Sequence, residues 1–177
     1  MILTKQHIYI MNTLGDLATP HLMNWLEEHG FFTAPASGSH HGNKTGDLVI
    51  HSIDVAKTLN RLTAVNGSPW QRSESPFIVG LLHDLCKVDN YIPGGEDDRK
   101  VWMHNPNEIM KGHGDKSIMM ASTLMQLTEE EMFCIRFHMG AFTDQSEWQY
   151  YRQAVQKYPN VLWTHQADMI AAFLMGR

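Results

Sequence analysis

The chain has 177 residues, of which 43% are hydrophobic and 19% are charged, and its formal net charge is −5 when histidine is neutral. This length suits one domain with a real core, and the acidic balance disfavours long nucleic acid as a partner. No apolar run approaches the roughly 20 residues of a membrane span, and the N-terminus has no signal-peptide pattern. We therefore expect a cytoplasmic protein without membrane contact, in which Cys86 and Cys134 are buried, reduced thiols.

The hydrophobic pattern predicts helices and almost no strand, because apolar residues recur mostly at helical spacing. Pro20 marks a possible break in the first helix, and the run at 128–131 predicts a capping box. Polar segments rich in Gly, Pro and Asn at 31–47 and 89–100 predict loops. The predicted helices span 5–29, 48–65, 75–88, 113–127, 129–139, 143–157 and a last segment that starts near Asn160. We expect one all-α domain over residues 1–177, a bundle of six to eight helices.

The segment GLLHDLCKV, residues 80–88, places His83 and Asp84 inside an apolar stretch that is typical of a buried helix. A buried carboxylate without partners costs several kcal/mol. A bound cation would remove that cost, and neutral imidazole together with carboxylate is a suitable ligand pair for a transition metal. The alternative is that this pair lies on a helix surface.

Two further residues could complete such a metal site. His51 shares a helical face with the apolar residues Val55 and Leu59, so it points inward. Asp168 lies in the last predicted helix among alanines, whose small side chains allow helices to approach closely. Taken singly, His51 could be a core histidine with satisfied hydrogen bonds and Asp168 a surface carboxylate.

The order His51, His83-Asp84, Asp168 resembles the H…HD…D signature of the HD-domain metal-dependent phosphohydrolases, over about residues 40–172. The segments SHHGNKTGDLVIHS and HDLCK are similar to the HH…GGLLEHS and HDIGK segments of the HD domains in certain bacterial 3′→5′ exoribonucleases. The resemblance implies an HD-type helical bundle. It also implies one metal ion held by His51, His83, Asp84 and Asp168.

Two more segments, GHGDKS and RFHMG, resemble those that carry additional histidines in HD proteins with a binuclear metal centre. In such proteins the Asp of the HD pair bridges both ions, which implies a second ion held by Asp84, His113 and His138. Nitrogen and oxygen ligands suit Mn, Fe, Co, Ni or Zn, so the expected cofactor is one or two divalent transition-metal ions. His113 could instead be exposed at a helix start, and His138 could simply complement a helix C-terminus.

The resemblance implies hydrolysis of a nucleotide or another small phosphate mono- or diester by metal-activated water. Asp84 and Lys87 are the expected catalytic residues, because Lys87 lies one turn beyond His83 and could reach a phosphate oxygen; a solvated lysine is the alternative. The chain has Phe137-His138 where many binuclear HD enzymes have His-His. A catalytically silent regulatory module that binds metal and nucleotide stays open, as does a 3′→5′ nuclease-type phosphodiesterase.

Four residues outside the ligand set also have candidate roles. His40 and His41 would line the substrate entrance, and Arg136 could bind phosphate together with Lys87. His165, one turn before Asp168, could orient that carboxylate. Loop histidines, a surface arginine and a non-ligand histidine are the corresponding alternatives, and the sequence does not indicate an oligomeric state.

Overall fold

The computed structural model describes residues 3–38, 42–94 and 102–175. Within these ranges the all-α prediction is confirmed, with eight helices of eight or more residues and one helix of four residues. The helices are α1 (Lys5–Leu14), α2 (Pro20–Glu28), α3 (Asp47–Val65), α4 (Ser75–Leu82), α5 (Lys87–Asn90), α6 (His113–Ser122), α7 (Glu129–Arg136), α8 (Trp148–Lys157) and α9 (Asn160–Met169). Short 3₁₀ turns occupy Gly15–Leu17, Gly140–Phe142 and Gln145–Glu147, and a π-type turn follows α9 at Ile170–Leu174.

The helices begin where local capping chemistry is available. The Thr19 side chain accepts a hydrogen bond from the first turn of α2, and Pro20 occupies the first helical position, so the predicted break is confirmed. Thr128 and Glu131 form the predicted capping box at the start of α7. Asn160 begins α9, as predicted.

Helix α3 is buried in the centre of the fold and packs against α4 and α9. Its contact with α4 is close because Gly80 has no side chain: a Cβ atom there would overlap the backbone of Ala56. The buried aliphatic residues of these helices form one hydrophobic cluster. This packing brings the inward face of α3, which carries His51, next to the C-terminal end of α4.

A second close approach joins α6 to α7. A Cβ atom at Gly114 would overlap the carbonyl group of Arg136, so the start of α6 can lie directly against the last turn of α7. His113 is the first residue of α6, and His138 comes two residues after α7 ends. The second contact therefore brings the ends of two further helices toward the same region.

The helix that was predicted over 75–88 ends earlier, at Leu82. The chain continues in tight turns, with backbone hydrogen bonds from Leu85 to Leu82 and from Lys87 to Asp84, before α5 begins. His83 and Asp84 therefore lie at a helix end, and the prediction that they sit inside a helix was wrong. Helix α6 is also shorter than predicted and ends at Ser122.

A small antiparallel hairpin occupies part of the region that was predicted as loop. Strand β1 (Tyr91–Pro93) pairs with strand β2 (Trp102–His104), and Tyr91 lies opposite His104. Each strand has three residues, which is too short to produce a recognisable alternation in the sequence. The hairpin follows α5 directly and so places Tyr91 close to His83 and Asp84.

Candidate metal centre

Five of the predicted ligands converge from four parts of the fold. His51 comes from α3, His83 and Asp84 follow α4, His138 follows α7, and Asp168 lies in α9. The first four are at most 3% exposed, and the Asp168 side chain is 17% exposed. The separations between ring Nε2 and carboxylate oxygen atoms are 3.1 Å for His51–Asp168, 3.5 Å for His51–Asp84, 3.3 Å for His83–Asp84, 3.7 Å for His83–Asp168 and 3.6 Å for His138–Asp84.

Two of the imidazole rings are oriented in the same way by the helix ends that precede them. The Nδ1 atom of His83 is 2.9 Å from the carbonyl oxygen of Gly80, and that of His138 is 2.7 Å from the carbonyl oxygen of Ile135. A carbonyl oxygen can only accept, so each Nδ1 must carry the hydrogen and donate it. In the neutral rings the lone pair is therefore on Nε2, the atom that faces the carboxylates.

The Nε2 atoms of His51, His83 and His138 are buried and make no hydrogen bond to the described residues. Buried polar atoms normally have partners. In the neutral rings of His83 and His138, whose Nδ1 atoms carry the hydrogen, the Nε2 lone pair faces a carboxylate and is repelled by it. A cation that lies between the nitrogens and the oxygens would satisfy both sets of atoms. These orphaned nitrogens are the observation that best fits a metal ion.

The charges of the cluster are also unbalanced. The carboxylates of Asp84 and Asp168 face one ammonium group, that of Lys87, whose Nζ is 2.6 Å from Asp84 Oδ2. Burial opposes ionisation of both carboxyls, yet Lys87 and His83 hold the pKa of Asp84 well below its usual value, and His51 and His83 lower that of Asp168. Burial also opposes a charge on His83, but the two carboxylates raise its pKa to about 10. The site therefore attracts one more positive charge, either a proton or a metal ion.

The donor atoms are close enough together to share an ion. Ligand atoms of His51, His83 and Asp84 all lie within 4.8 Å of one another, and so do those of His83, His138 and Asp168. Sets of two nitrogens and one oxygen suit divalent transition metals. The residues present therefore fit the cofactor that the sequence predicts, although they do not identify the metal.

His113 is the first residue of α6. There it contacts Cys86, which was not among the ligands predicted from the sequence. Its Nδ1 atom is 3.3 Å from the sulfur of Cys86, and donor atoms of Asp84, Cys86 and His113 form a third group within 4.8 Å. On a regular helix, a residue two positions beyond Asp84 would point about 200° away from it. Because α4 ends at Leu82, this restriction does not apply to Cys86.

The cluster forms the floor of a cavity of about 1110 Å³. The described residues that line it include metal-ligand candidates, two lysines and two aromatic residues. They include His51, Asp84, Lys87, His113, His138, Asp168, Lys44, Tyr91 and Phe173. This volume is of the size that holds a small organic ligand.

Lys87 and His165 lie beside the cluster, but within the described part of the chain His165 makes no hydrogen bond or ion pair with Asp168, the carboxylate that it could have oriented. Lys87 lines the cavity and pairs with Asp84. His165 is buried, and its Nδ1 atom is 2.9 Å from the carbonyl oxygen of His138. Its observed hydrogen bond therefore supports the turn that carries His138 instead of Asp168.

Arg136 is engaged elsewhere. Its guanidinium pairs with Asp115 at 2.8 Å and Glu147 at 2.9 Å, and it lies over the ring of Phe137. It is not among the described residues that line the cavity, so the structure does not bring it to the expected phosphate site. His40 and His41 lie outside the described residues.

Comparison of this chain with protein families, with curated proteins and with solved structures gives no match. Among the described helices, none combines the length and the apolar character that crossing a membrane requires.

Proposed function

We propose that this chain is an HD-type, metal-dependent phosphohydrolase that acts on a nucleotide or another small phosphate ester. The observation that carries the proposal is the convergence of three buried Nε2 atoms, which lack partners among the described residues, on the carboxylates of Asp84 and Asp168 at the floor of a cavity. The order of these residues in the chain matches the H…HD…D resemblance described above. A divalent ion bound there supplies water activation near neutral pH and stabilises charge on phosphate oxygens.

The residues of the chain have separate tasks in this proposal. His51, His83, Asp84 and Asp168 hold the ion, and the carbonyl oxygen of Gly80 keeps the His83 ring in the required tautomer. The carboxylates remain ionised because neighbouring positive charge keeps their pKa values low. They can therefore bind a cation without first losing protons.

Lys87 is the residue best placed to meet a phosphate oxygen. Its side chain lines the cavity and is 15% exposed, and its ammonium group lies beside Asp84. Burial lowers the pKa of Lys87, but Asp84 outweighs this effect and the net shift is upward, so the group stays charged. Once a cation neutralises Asp84, Lys87 is free to turn toward an anionic substrate and to stabilise developing negative charge.

The substrate class follows from the size and polarity of the cavity. About 1110 Å³ exceeds what inorganic phosphate needs, and Tyr91 and Phe173 provide apolar surface on the wall above the acidic floor. A phosphorylated molecule with a planar or apolar part would use both regions. A nucleotide meets this description, and we propose it as the substrate class.

The test begins with metal content and then measures turnover. Purified protein should contain one or two transition-metal ions per chain, and protein loaded with Mn should release product from one of a panel of nucleotides and phosphodiesters. Asp84→Asn should abolish turnover, whereas Asp16→Asn, at an exposed position, should leave it unchanged. Full activity of the Asp84 variant would reject the proposal. Tight nucleotide binding without turnover under any metal would indicate a regulatory module instead.

A further inference from the structure

Cys86 lies against the metal centre and is fully buried. Its sulfur, a carboxylate oxygen of Asp84 and a ring nitrogen of His113 lie within 4.8 Å of one another, and the Sγ–Nδ1 distance to His113 is 3.3 Å. Bonds of about 2.3 Å to sulfur and about 2.0 Å to nitrogen place two ligands of a tetrahedral ion roughly 3.5 Å apart. The observed separation is close to this value. It also fits a hydrogen bond, so the experiment must distinguish the two.

We propose that Cys86 is a thiolate ligand of a metal ion that it shares with Asp84 and His113. This inference rests on the metal centre proposed above and adds sulfur to a ligand set that otherwise holds only nitrogen and oxygen. His138 could supply a fourth donor. The residue is 1% exposed, and its Nε2 atom has no hydrogen-bond partner among the described residues. That atom lies 3.6 Å from Asp84 Oδ1.

The surroundings of the sulfur suit a thiolate once an ion is present. The side-chain amide of Asn90 donates toward the sulfur at 3.7 Å. Lys87 is the next residue, and Lys116 approaches from α6, so both add positive potential. Burial lowers the pKa of His113, which favours its neutral imidazole. A neutral ring is the form that binds metal.

A thiol binds a metal ion as the thiolate, so its proton must leave the sulfur. Binding of the ion must therefore release the thiol proton to solvent. A thiolate also changes which metal is preferred, since soft sulfur favours Zn, Fe or Co over Mn or Mg. The site with Cys86 should thus discriminate against Mn, whereas the all-nitrogen-and-oxygen site formed by His51, His83, Asp84 and Asp168 should accept it.

The test uses Co²⁺ as a spectroscopic probe. The metal-free full chain, Cys86→Ser and Cys134→Ser are each titrated with Co²⁺ and followed by absorption in the visible and near-ultraviolet. The wild type and Cys134→Ser should develop a near-ultraviolet sulfur-to-cobalt charge-transfer band. Cys86→Ser should lack that band and bind Co²⁺ at this site at least ~10-fold more weakly. Cys134 is a matched control because it is also fully buried but belongs to none of the candidate ligand groups of the described residues.

The possible results separate this inference from the proposed function. Visible cobalt bands without the charge-transfer band would overturn the thiolate ligand and leave the metal centre in place. Failure to bind any Co²⁺ or other divalent ion would overturn both. If Cys86→Ser does not fold, X-ray absorption of the wild-type zinc form decides, because a scattering shell from sulfur at about 2.3 Å is expected and its absence rejects the ligand.

Discussion

The ring of His138 donates a hydrogen bond from Nδ1 to the carbonyl oxygen of Ile135 at 2.7 Å, and His83 makes the equivalent bond to Gly80 at 2.9 Å. In each case the acceptor lies three residues earlier, in the last turn of a helix whose final carbonyl groups lack helical partners. One hydrogen bond thus completes the helix end and fixes the tautomer of a candidate ligand. The end of the helix and the candidate metal centre are therefore coupled at both positions.

This coupling predicts that one substitution at position 138 can separate the hydrogen bond at the helix end from metal binding. Asn can reproduce the Nδ1 donor and keep the bond to Ile135, but it has nothing in the place of Nε2. We expect the free energy of unfolding of His138→Asn to lie within about 1 kcal/mol of the wild-type value. We also expect this variant to bind metal at least ~10-fold more weakly. Thermal unfolding and metal analysis after dialysis measure the two quantities.

His104→Asn is the control for that substitution, because the His104 side chain is 68% exposed and lies in β2. Its metal content should equal that of the wild type. Unchanged metal affinity in His138→Asn would show that this ring is not a ligand.

Metal binding should stabilise the fold by mass action. An ion present at 100 times its dissociation constant adds about 2.7 kcal/mol, which corresponds to a rise of roughly 5–10 °C in Tm for a chain of this length. Addition of a chelator should reverse the shift. Asp84→Asn should show little or no shift, because it loses the carboxylate that faces His51, His83 and His138. An equal shift in that variant would indicate that the ion binds elsewhere.

Substitution of Lys87 should separate metal binding from turnover. The ammonium group competes with a cation for Asp84, to which it is bound at 2.6 Å. Lys87→Met keeps much of the side-chain volume, so we expect metal affinity to stay the same or rise while kcat/KM falls by roughly 10²-fold, the loss of about 2.7 kcal/mol of transition-state stabilisation. Lys57→Met, at an exposed position in α3, is the matched control. Loss of metal together with activity would assign Lys87 a structural role.

The sequence predicts the helices well because their periodicity and boundaries are local patterns. The inward face of α3 with His51 and the start of α9 at Asn160 follow from helical periodicity and helix boundaries. The end of α4 at Leu82 does not follow from such patterns. His83 keeps helical backbone angles, but the hydrogen bonds beyond it join residues three apart instead of four. That change is what allows Cys86 to reach the same site as Asp84.

The sequence also could not show which side chains form ion pairs or hydrogen bonds with one another. Arg136 was a reasonable candidate for phosphate binding, yet two carboxylates from other segments, Asp115 and Glu147, bind its guanidinium. His165 lies one turn before Asp168 in the sequence, but its hydrogen bond is made with the backbone carbonyl oxygen of His138. Both choices depend on how distant segments pack, which no local pattern encodes.

The packing of α3 against α4 should control the metal centre from a distance. Gly80→Ala would force a methyl group into the backbone of Ala56, and such overpacking typically costs about 1–3 kcal/mol. Because separation of the two helices would move His51 away from His83, we also expect metal affinity to fall. Asn60→Ala, on the exposed face of α3, should change stability by less than about 0.5 kcal/mol and leave metal affinity unaltered. Normal metal binding in Gly80→Ala would show that the site tolerates this displacement.

The thiol of Cys134 should make stability fall at alkaline pH. Burial raises its pKa well above the usual value. The hydrogen bond with Thr164 opposes this shift, and Glu130 and Glu131 add to it. The folded state therefore keeps the proton above about pH 8.5, where the unfolded chain loses it. The unfolded state binds fewer protons in this range, so the free energy of unfolding should fall by about 1.4 kcal/mol per pH unit from this group. Cys134→Ala should be less stable than the wild type near pH 7, with a difference that shrinks as the pH rises from 8.5. Urea unfolding between pH 7 and 10 measures this difference in the free energy of unfolding. A difference that stays constant across the range would contradict the raised pKa of Cys134.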